Sequence, residues 1–206
     1  MTQSNGFRLI GRMLALAGTL SHGAVWAGGT LTLISVLVIC YDVMVRKLFD
    51  VTISGADELS GYAFAISTTW AMAFAALNRA NVRVDALYLK LPVRLAAVLD
   101  WLALVMLAVF IVYVTRYACD VALLSWKQSA TANTPLGTPL WIPQGLWALG
   151  LVWMCIVLAL MLLRASCALV VGDLETLRAI CGVRTAREEA DEEAASGERI
   201  IQGERA

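Results

Sequence analysis

The chain has 206 residues, of which 60% are hydrophobic and 16% are charged, and its mean hydropathy is +0.73. Soluble domains average about 45–50% apolar and about 25% charged residues, so this composition indicates an integral membrane protein rather than a soluble one. The formal net charge is +0, which gives no electrostatic support for binding nucleic acid.

The predicted fold class is an all-α integral membrane protein with four transmembrane helices. Residues 1–20 contain Arg8 and Arg12 among apolar residues, which favours a short amphipathic helix at the membrane interface. A helix needs about 20 mostly apolar residues to cross a bilayer, and the transmembrane domain, 21–172, contains four such segments: 23–45, 58–77, 95–119 and 141–163. Residues 173–206 are dense in charge and are predicted to form a solvated cytoplasmic tail.

The distribution of Lys and Arg residues predicts the orientation, because cytoplasmic loops carry an excess of both. Most of them lie in the two terminal segments and in the loop between the second and third spans. Both termini are therefore predicted to be cytoplasmic, and the loops 46–57 and 125–140 to face outward. Arg116 and Asp120 are four residues apart near the end of the third span, and we expect them to pair at the outer boundary.

Polar residues at the outer ends of the first two spans form a predicted ion-pair site. Asp42 and Arg46 are four residues apart and share a helix face. The short connection makes these spans antiparallel neighbours, so Arg46 and Glu58 are predicted to meet at similar depth and to lock the hairpin. Tyr62 and Trp70 lie on the same face as Glu58, and Trp70 is expected to face protein. Alternatively, Glu58 only starts the second helix, where the helix dipole favours a carboxylate.

Small residues form two stripes along the second span at four-residue spacing. Such stripes let helix backbones approach closely in lipid. Two stripes predict that this helix is contacted on more than one side, although alanine-rich membrane helices are common. The stripes are Gly61, Ala65, Thr69 and Ala73, and Ala63, Ser67, Ala71 and Ala75.

Four pieces of sequence occur in a fixed order: "RKLF", "GADELSGY", "ANVRVDALYLKLP" and "TPLWIPQGLWALG". In this order and at this spacing, over 34–163, they resemble the small four-span membrane subunit (Q-type) of TRAP transporters, the tripartite ATP-independent periplasmic transporters. The residues that fall on the family's pattern are Arg46, Gly55, Glu58, Leu59, Val82, Val84, Asp85, Pro92, Trp141, Ile142, Pro143 and either Gly145 or Gly150. Asn81 stands where many members carry His.

The resemblance implies a scaffold role beside a large membrane transport subunit, which takes up organic anions with sodium, and a periplasmic substrate-binding protein. It also implies a cytoplasmic loop motif, in which Asp85 either caps or salt-bridges the turn or contacts the large subunit. The outer prolines favour an ordered, non-helical segment, since proline suits loops and first helical turns. This outer segment is a candidate docking surface for the binding protein. The loop motif comprises Asn81, Val84, Asp85 and Pro92, and the docking candidates are Pro139, Trp141 and Pro143.

An enzyme is not expected, because the sequence lacks a nucleophile elbow, a glycine-rich phosphate loop and a cluster of metal ligands. We expect no cofactor. The main alternative is a small four-span proton-coupled exporter that acts as a homo-oligomer. That alternative requires Glu58 to lie deep in the bilayer, in a water-accessible cavity. A membrane anchor subunit of another complex is the third possibility.

Overall fold

Helices make up almost all of the chain that the computed structural model describes, namely residues 5–52, 54–79 and 92–181 and the isolated positions 194 and 197. Within these residues, β-structure is limited to one isolated antiparallel bridge, between Thr131 and Pro139. The predicted all-α fold is therefore confirmed. In chain order the helices are α1 (Asn5–Phe49), α2 (Ala56–Leu77), α3 (Val93–Lys127), α4 (Trp141–Val171) and α5 (Leu174–Cys181).

Three helices of the described part are long and apolar enough to cross a membrane: they cover Leu9–Phe49, Arg94–Lys127 and Trp141–Val171. The helix α2 has 22 residues, or about 33 Å at 1.5 Å per residue, which matches a bilayer core of about 30 Å. It is rich in Ala, Ser and Thr, however, and is not among the three. A membrane-spanning α2, and with it the count of four spans, stays a prediction.

The helix α1 runs without a break from Asn5 to Phe49. The sequence predicted a separate interfacial helix within 1–20. In the structure, the described residues of that segment are instead the beginning of α1. The physical reason is that this segment contains no proline to end the helix. Ser21 is fully buried, and its Oγ accepts a 3.0 Å hydrogen bond from Trp153 Nε1 of α4. The N-terminal part of α1 thus packs on α4.

Two close contacts, each at a glycine, hold α2 between α1 and α4. Ser67 Oγ donates a 2.9 Å hydrogen bond to the carbonyl of Gly28, and a Cβ on Gly28 would lie 3.2 Å from Ser67 Cα. On the other side, a Cβ on Gly150 would lie 2.7 Å from Thr69 Oγ1. Small residues therefore bring α2 close to both neighbours, which is the arrangement that the two stripes predicted.

The buried core lies between α3 and α4 and extends to α5. Its most deeply buried large side chains are those of Ile111, Val157 and Leu158. Leu177 of α5 is 0% exposed and Cys181 is 4% exposed. We call the end of the bundle with 50–55 and 128–140 the outer end, following the predicted orientation, and the opposite end the inner end. The helix α5 then covers the inner ends of α3 and α4.

The start of α5 explains why the predicted charged tail does not begin at residue 173. Gly172 ends α4 with φ of 78°, a left-handed conformation that glycine adopts without strain. Asp173 then accepts hydrogen bonds from the Thr176 hydroxyl at 2.6 Å and the Thr176 amide at 3.0 Å. The same two bonds, the hydroxyl first, hold the pKa of Asp173 below its ordinary value. Residues 173–181 therefore form a capped, packed helix, and 182–206 lie outside the described residues apart from 194 and 197.

Candidate functional site at the outer end of the bundle

The first polar group of the predicted site is an ion pair within α1. Arg46 Nη2 donates to Asp42 Oδ2, one turn away. Asp42 is 2% exposed, whereas the Arg46 side chain is 50% exposed. The pair predicted from the four-residue spacing is therefore present, with its carboxylate buried and its guanidinium reaching towards the surface.

The second polar group is the carboxylate of Glu58, in the first turn of α2. Tyr62 Oη donates a 2.8 Å hydrogen bond to Glu58 Oε1, and Thr134 Oγ1 donates to Oε2. The hydroxyl of Thr138 is a further neighbour of this carboxylate. Neutral hydroxyl donors therefore satisfy both oxygens of Glu58, and they join α2 to the loop between α3 and α4. We call Glu58, Tyr62, Thr134 and Thr138 the outer cluster.

The predicted ion pair between Arg46 and Glu58 is not formed, although both residues are described. The helices α1 and α2 cross closely where Gly28 meets Ser67. Arg46 lies 18 residues beyond Gly28, whereas Glu58 lies only nine residues before Ser67. At 1.5 Å per residue this places Arg46 about 14 Å farther along the bundle than Glu58. The prediction assumed that the two helices end at the same height, and α1 runs past the head of α2.

Residues 129–140, which we call the outer hairpin, form an ordered hydrogen-bonded segment over the head of α2. The Ala132 amide donates to the Thr138 carbonyl at 2.9 Å, and the Leu140 amide donates to the Ala130 carbonyl at 3.0 Å. The Gly137 amide donates to the Thr134 carbonyl at 3.0 Å, which closes a turn with proline at its second position, where proline is favoured. The prediction of an ordered, non-helical outer segment agrees with this geometry.

Gly55 is where the outer hairpin touches the start of α2. Its φ is 92°, and a Cβ at this position would lie 3.2 Å from Leu136 Cδ1. The backbone conformation and the close side chain both favour glycine. The glycine of the "GADEL" piece therefore has a structural reason, because it lets the hairpin rest on the helix that carries Glu58.

The docking candidates lie at the base of the outer hairpin. Pro139 is exposed, and Trp141 is 38% exposed. The Trp141 ring packs edge-on against Trp126, with centroids 4.4 Å apart, so it joins the ends of α3 and α4. Pro143 is buried in the first turn of α4 and cannot be part of an exposed docking surface.

Trp70 lies deeper, at the contact between α2 and α4. Its Nε1 donates a 3.0 Å hydrogen bond to the Leu146 carbonyl, so this aromatic side chain faces protein. A cavity of about 490 Å³ opens beside it between α1, α2 and α4. Its lining is almost entirely apolar and includes Gly23, Gly28 and Trp153, and Glu58 does not line it.

The predicted cytoplasmic loop motif is described only at its last residue. Pro92 precedes α3, and its carbonyl accepts the Leu95 amide at 2.9 Å, so it marks the start of that helix. Asn81, Val84 and Asp85 lie outside the described residues. Both interpretations of Asp85 therefore remain predictions.

The sequence interpretation placed Tyr62 on the face of Glu58 but missed the two threonine partners, Thr134 and Thr138. Thr134 lies 76 residues away along the chain, so no local spacing connects the two. The available signal was the segment Thr134–Pro135–Leu136–Gly137, whose proline and glycine are typical of a tight turn. A turn at that point brings Thr134 to the edge of the hairpin, but nothing in its sequence indicates which helix the edge meets.

A comparison with protein-family models identifies a family. The family model described as Tripartite ATP-independent periplasmic transporters, DctQ component, matches residues 35–168. This range is more than half of the chain and contains the outer cluster and all four sequence pieces on which the resemblance rests. The curated proteins and the solved structures gave no match.

Proposed function

Since this chain belongs to the DctQ component family of tripartite ATP-independent periplasmic transporters, we propose that it is the small supporting subunit of a sodium-coupled uptake system for organic anions. A large membrane subunit carries solute and sodium, and a periplasmic binding protein delivers the solute. The chain lies in the bacterial inner membrane with both termini in the cytoplasm, and it braces the large subunit.

The surroundings of Glu58 carry this proposal. A proton-coupled exporter needs its carboxylate in a water-accessible cavity within the bilayer. Glu58 instead lies in the first turn of α2, with its oxygens occupied by Tyr62 and Thr134. The cavity between α1, α2 and α4 is lined by other residues. A carboxylate that fastens the outer hairpin to α2 fits a supporting subunit better than an exporter.

The contacts between helices also support a rigid brace. The Gly28–Ser67 and Gly150–Thr69 contacts leave no room for a methyl group without movement. Helices packed this closely gain van der Waals contact, which drives helix association inside a bilayer, where the hydrophobic effect is absent. A helix pair held in this way keeps its geometry while a neighbouring subunit moves.

Co-purification tests the proposed role. The chain is tagged and expressed from its genomic context, together with the adjacent genes, and extracted in mild detergent. We expect a larger multi-span membrane protein to elute with it in equal molar amount, and not with an equally tagged, unrelated inner-membrane protein. Recovery of this chain alone under several mild detergents would contradict the proposal.

We further propose that the exposed part of the outer hairpin meets the binding protein. Pro139→Ala and Trp141→Ala should lower binding-protein-dependent uptake while the membrane complex stays intact. Trp26→Ala is the control, because Trp26 is 69% exposed and lies far from the hairpin on α1. Unchanged uptake in the first two variants, with an intact complex, removes the docking surface but leaves the supporting role in place.

A further inference from the structure

One face of α3 carries four polar side chains in the middle of an otherwise apolar surface. They are Tyr113, Arg116, Tyr117 and Asp120, spaced i, i+3, i+4 and i+7, which places them on one side of the helix; we call them the polar stripe. Tyr113 and Tyr117 are 64% and 55% exposed. The side chains of Arg116 and Asp120 are 74% and 50% exposed.

The opposite side of α3 is the side that packs against the protein. Ile111 and Ala118 are each 2% exposed. Thr115 is buried, and its Oγ1 lies 3.2 Å from Cys155 Sγ of α4. The polar stripe therefore points away from the bundle of this chain.

The same contact sets the depth of the stripe. Cys155 lies 14 residues after the start of α4 and 16 residues before its end. Thr115, beside Arg116, is thus level with the middle of α4. The sequence prediction placed Arg116 and Asp120 at the outer boundary; by this contact Arg116 lies near the level of the middle of α4, and Asp120 lies one turn closer to the outer end.

Apolar side chains lie on this face on both sides of the stripe. Met106, Val109 and Phe110 precede it and are 55%, 59% and 62% exposed, and Leu124 follows it and is 54% exposed. This surface suits lipid except where it carries the stripe. Charged side chains at membrane depth are costly in lipid, and they almost always face protein or a water-filled cavity.

The stripe does not satisfy itself. Within the described residues, Arg116 Nε donates to Asp120 Oδ2 at 3.1 Å, and the two tyrosine hydroxyls lie 3.2 Å apart. A guanidinium has five N–H donors, so four of them, and one carboxylate oxygen, are available to another molecule.

We propose that the polar stripe is covered by a membrane helix of the large transport subunit, one that carries hydrogen-bonding or charged side chains at the same depth. This inference rests on the proposed function, and it assigns the face of this chain that the large subunit meets. The stripe combines donors and an acceptor, so it selects a polar partner helix and fixes its height along α3.

A second copy of this chain is a poorer partner. Two identical subunits related by an axis along the membrane normal would place their α3 helices parallel, at equal height. Arg116 would then face Arg116, and Asp120 would face Asp120. Like charges at membrane depth repel, so the stripe works against self-association.

Photo-crosslinking in the intact complex tests the inference. A benzophenone amino acid replaces Tyr113, and in the control it replaces Ile156 of α4, which is 47% exposed and follows Cys155, so that it lies at the same depth on a different helix. We expect position 113 to form an adduct with the mass of this chain plus the large subunit, and position 156 to form much less. An adduct with the mass of two copies, equal adducts at both positions, or an intact complex with no adduct would each overturn the inference. The last outcome leaves the proposed function standing, whereas failure of the unsubstituted complex to form contradicts both.

Charge variants give a second readout that does not depend on crosslinking. Arg116→Leu with Asp120→Leu makes α3 more apolar, so the chain should stay in the membrane while recovery of the large subunit falls by roughly tenfold. The exchange Arg116→Asp with Asp120→Arg keeps the pair within α3 but reverses the charges that a partner meets. We expect a similar loss from the exchange. Full recovery with both double variants would show that the stripe has no partner.

Discussion

A methyl group at Gly150 should force α2 and α4 apart, and this variant tests the close packing of the bundle. The added Cβ would lie 2.7 Å from Thr69 Oγ1 and 2.9 Å from Trp70 Cδ1, closer than real Cβ contacts. Gly145 lies in the same helix, and a Cβ there has no other atom within 4 Å. Gly145→Ala is therefore the matched control.

The expected magnitude follows from two opposing effects. Overpacking a close contact costs about 1–3 kcal/mol, whereas replacing glycine by alanine in a helix gains up to about 1 kcal/mol. Because both variants share the second effect, the difference between them isolates the first. Gly150→Ala should be less stable than Gly145→Ala by about 1–3 kcal/mol, or about 5- to 150-fold in the unfolding equilibrium.

Reversible unfolding in detergent micelles, followed by circular dichroism, measures this difference. Gly145→Ala should unfold at or above the denaturant concentration required for the unsubstituted chain, and Gly150→Ala well below that of Gly145→Ala. Equal stability of the two alanine variants would mean that α2 and α4 are not in close contact at Gly150. Of the two close contacts on which the proposed rigidity rests, only Gly28–Ser67 would then remain.

Two further outcomes are expected. Thr134→Val removes a hydrogen-bond donor to Glu58 at nearly constant side-chain volume. The hydrogen-exchange rates of the Ala132 and Leu140 amides should therefore rise about two- to tenfold, the range for one lost hydrogen bond. An unchanged rate would mean that the outer hairpin does not depend on Glu58. The hydrogen bonds from Thr176 lower the pKa of Asp173 in the folded state. The ionised carboxylate therefore stabilises α5 fully at pH values above the pKa that Asp173 has in the unfolded chain, and this stabilisation is lost as the pH falls through the lower pKa of the folded state. The stability gap between the unsubstituted chain and Asp173→Ala, measured by unfolding at a series of pH values, should therefore narrow below about pH 4; a constant gap would contradict the cap.

Periodicity within a helix predicts contacts that depend on one helix alone. The Asp42–Arg46 and Arg116–Asp120 pairs follow from four-residue spacing, and the structure contains both. The two packed sides of α2 follow from its small residues in the same way. The physical reason is that the rise and the turn of an α-helix are fixed, so sequence spacing determines position along it.

Contacts between helices depend on relative height, which sequence spacing does not determine. Arg46 and Glu58 are separated because the Gly28–Ser67 contact sets the height of α1 against α2. The depth of Arg116 similarly follows from the Thr115–Cys155 contact. One partner of Glu58, Thr134, lies on a distant hairpin, and only the packing of α3 and α4 brings it to α2.

Solute uptake by reconstituted vesicles tests the central claim most directly. One set of vesicles contains this chain alone, and another contains this chain, the large subunit and the binding protein, with an inward sodium gradient imposed on both. We expect binding-protein-dependent accumulation of an organic anion only in the complete set. Accumulation against a gradient by vesicles that contain this chain alone would contradict the supporting role.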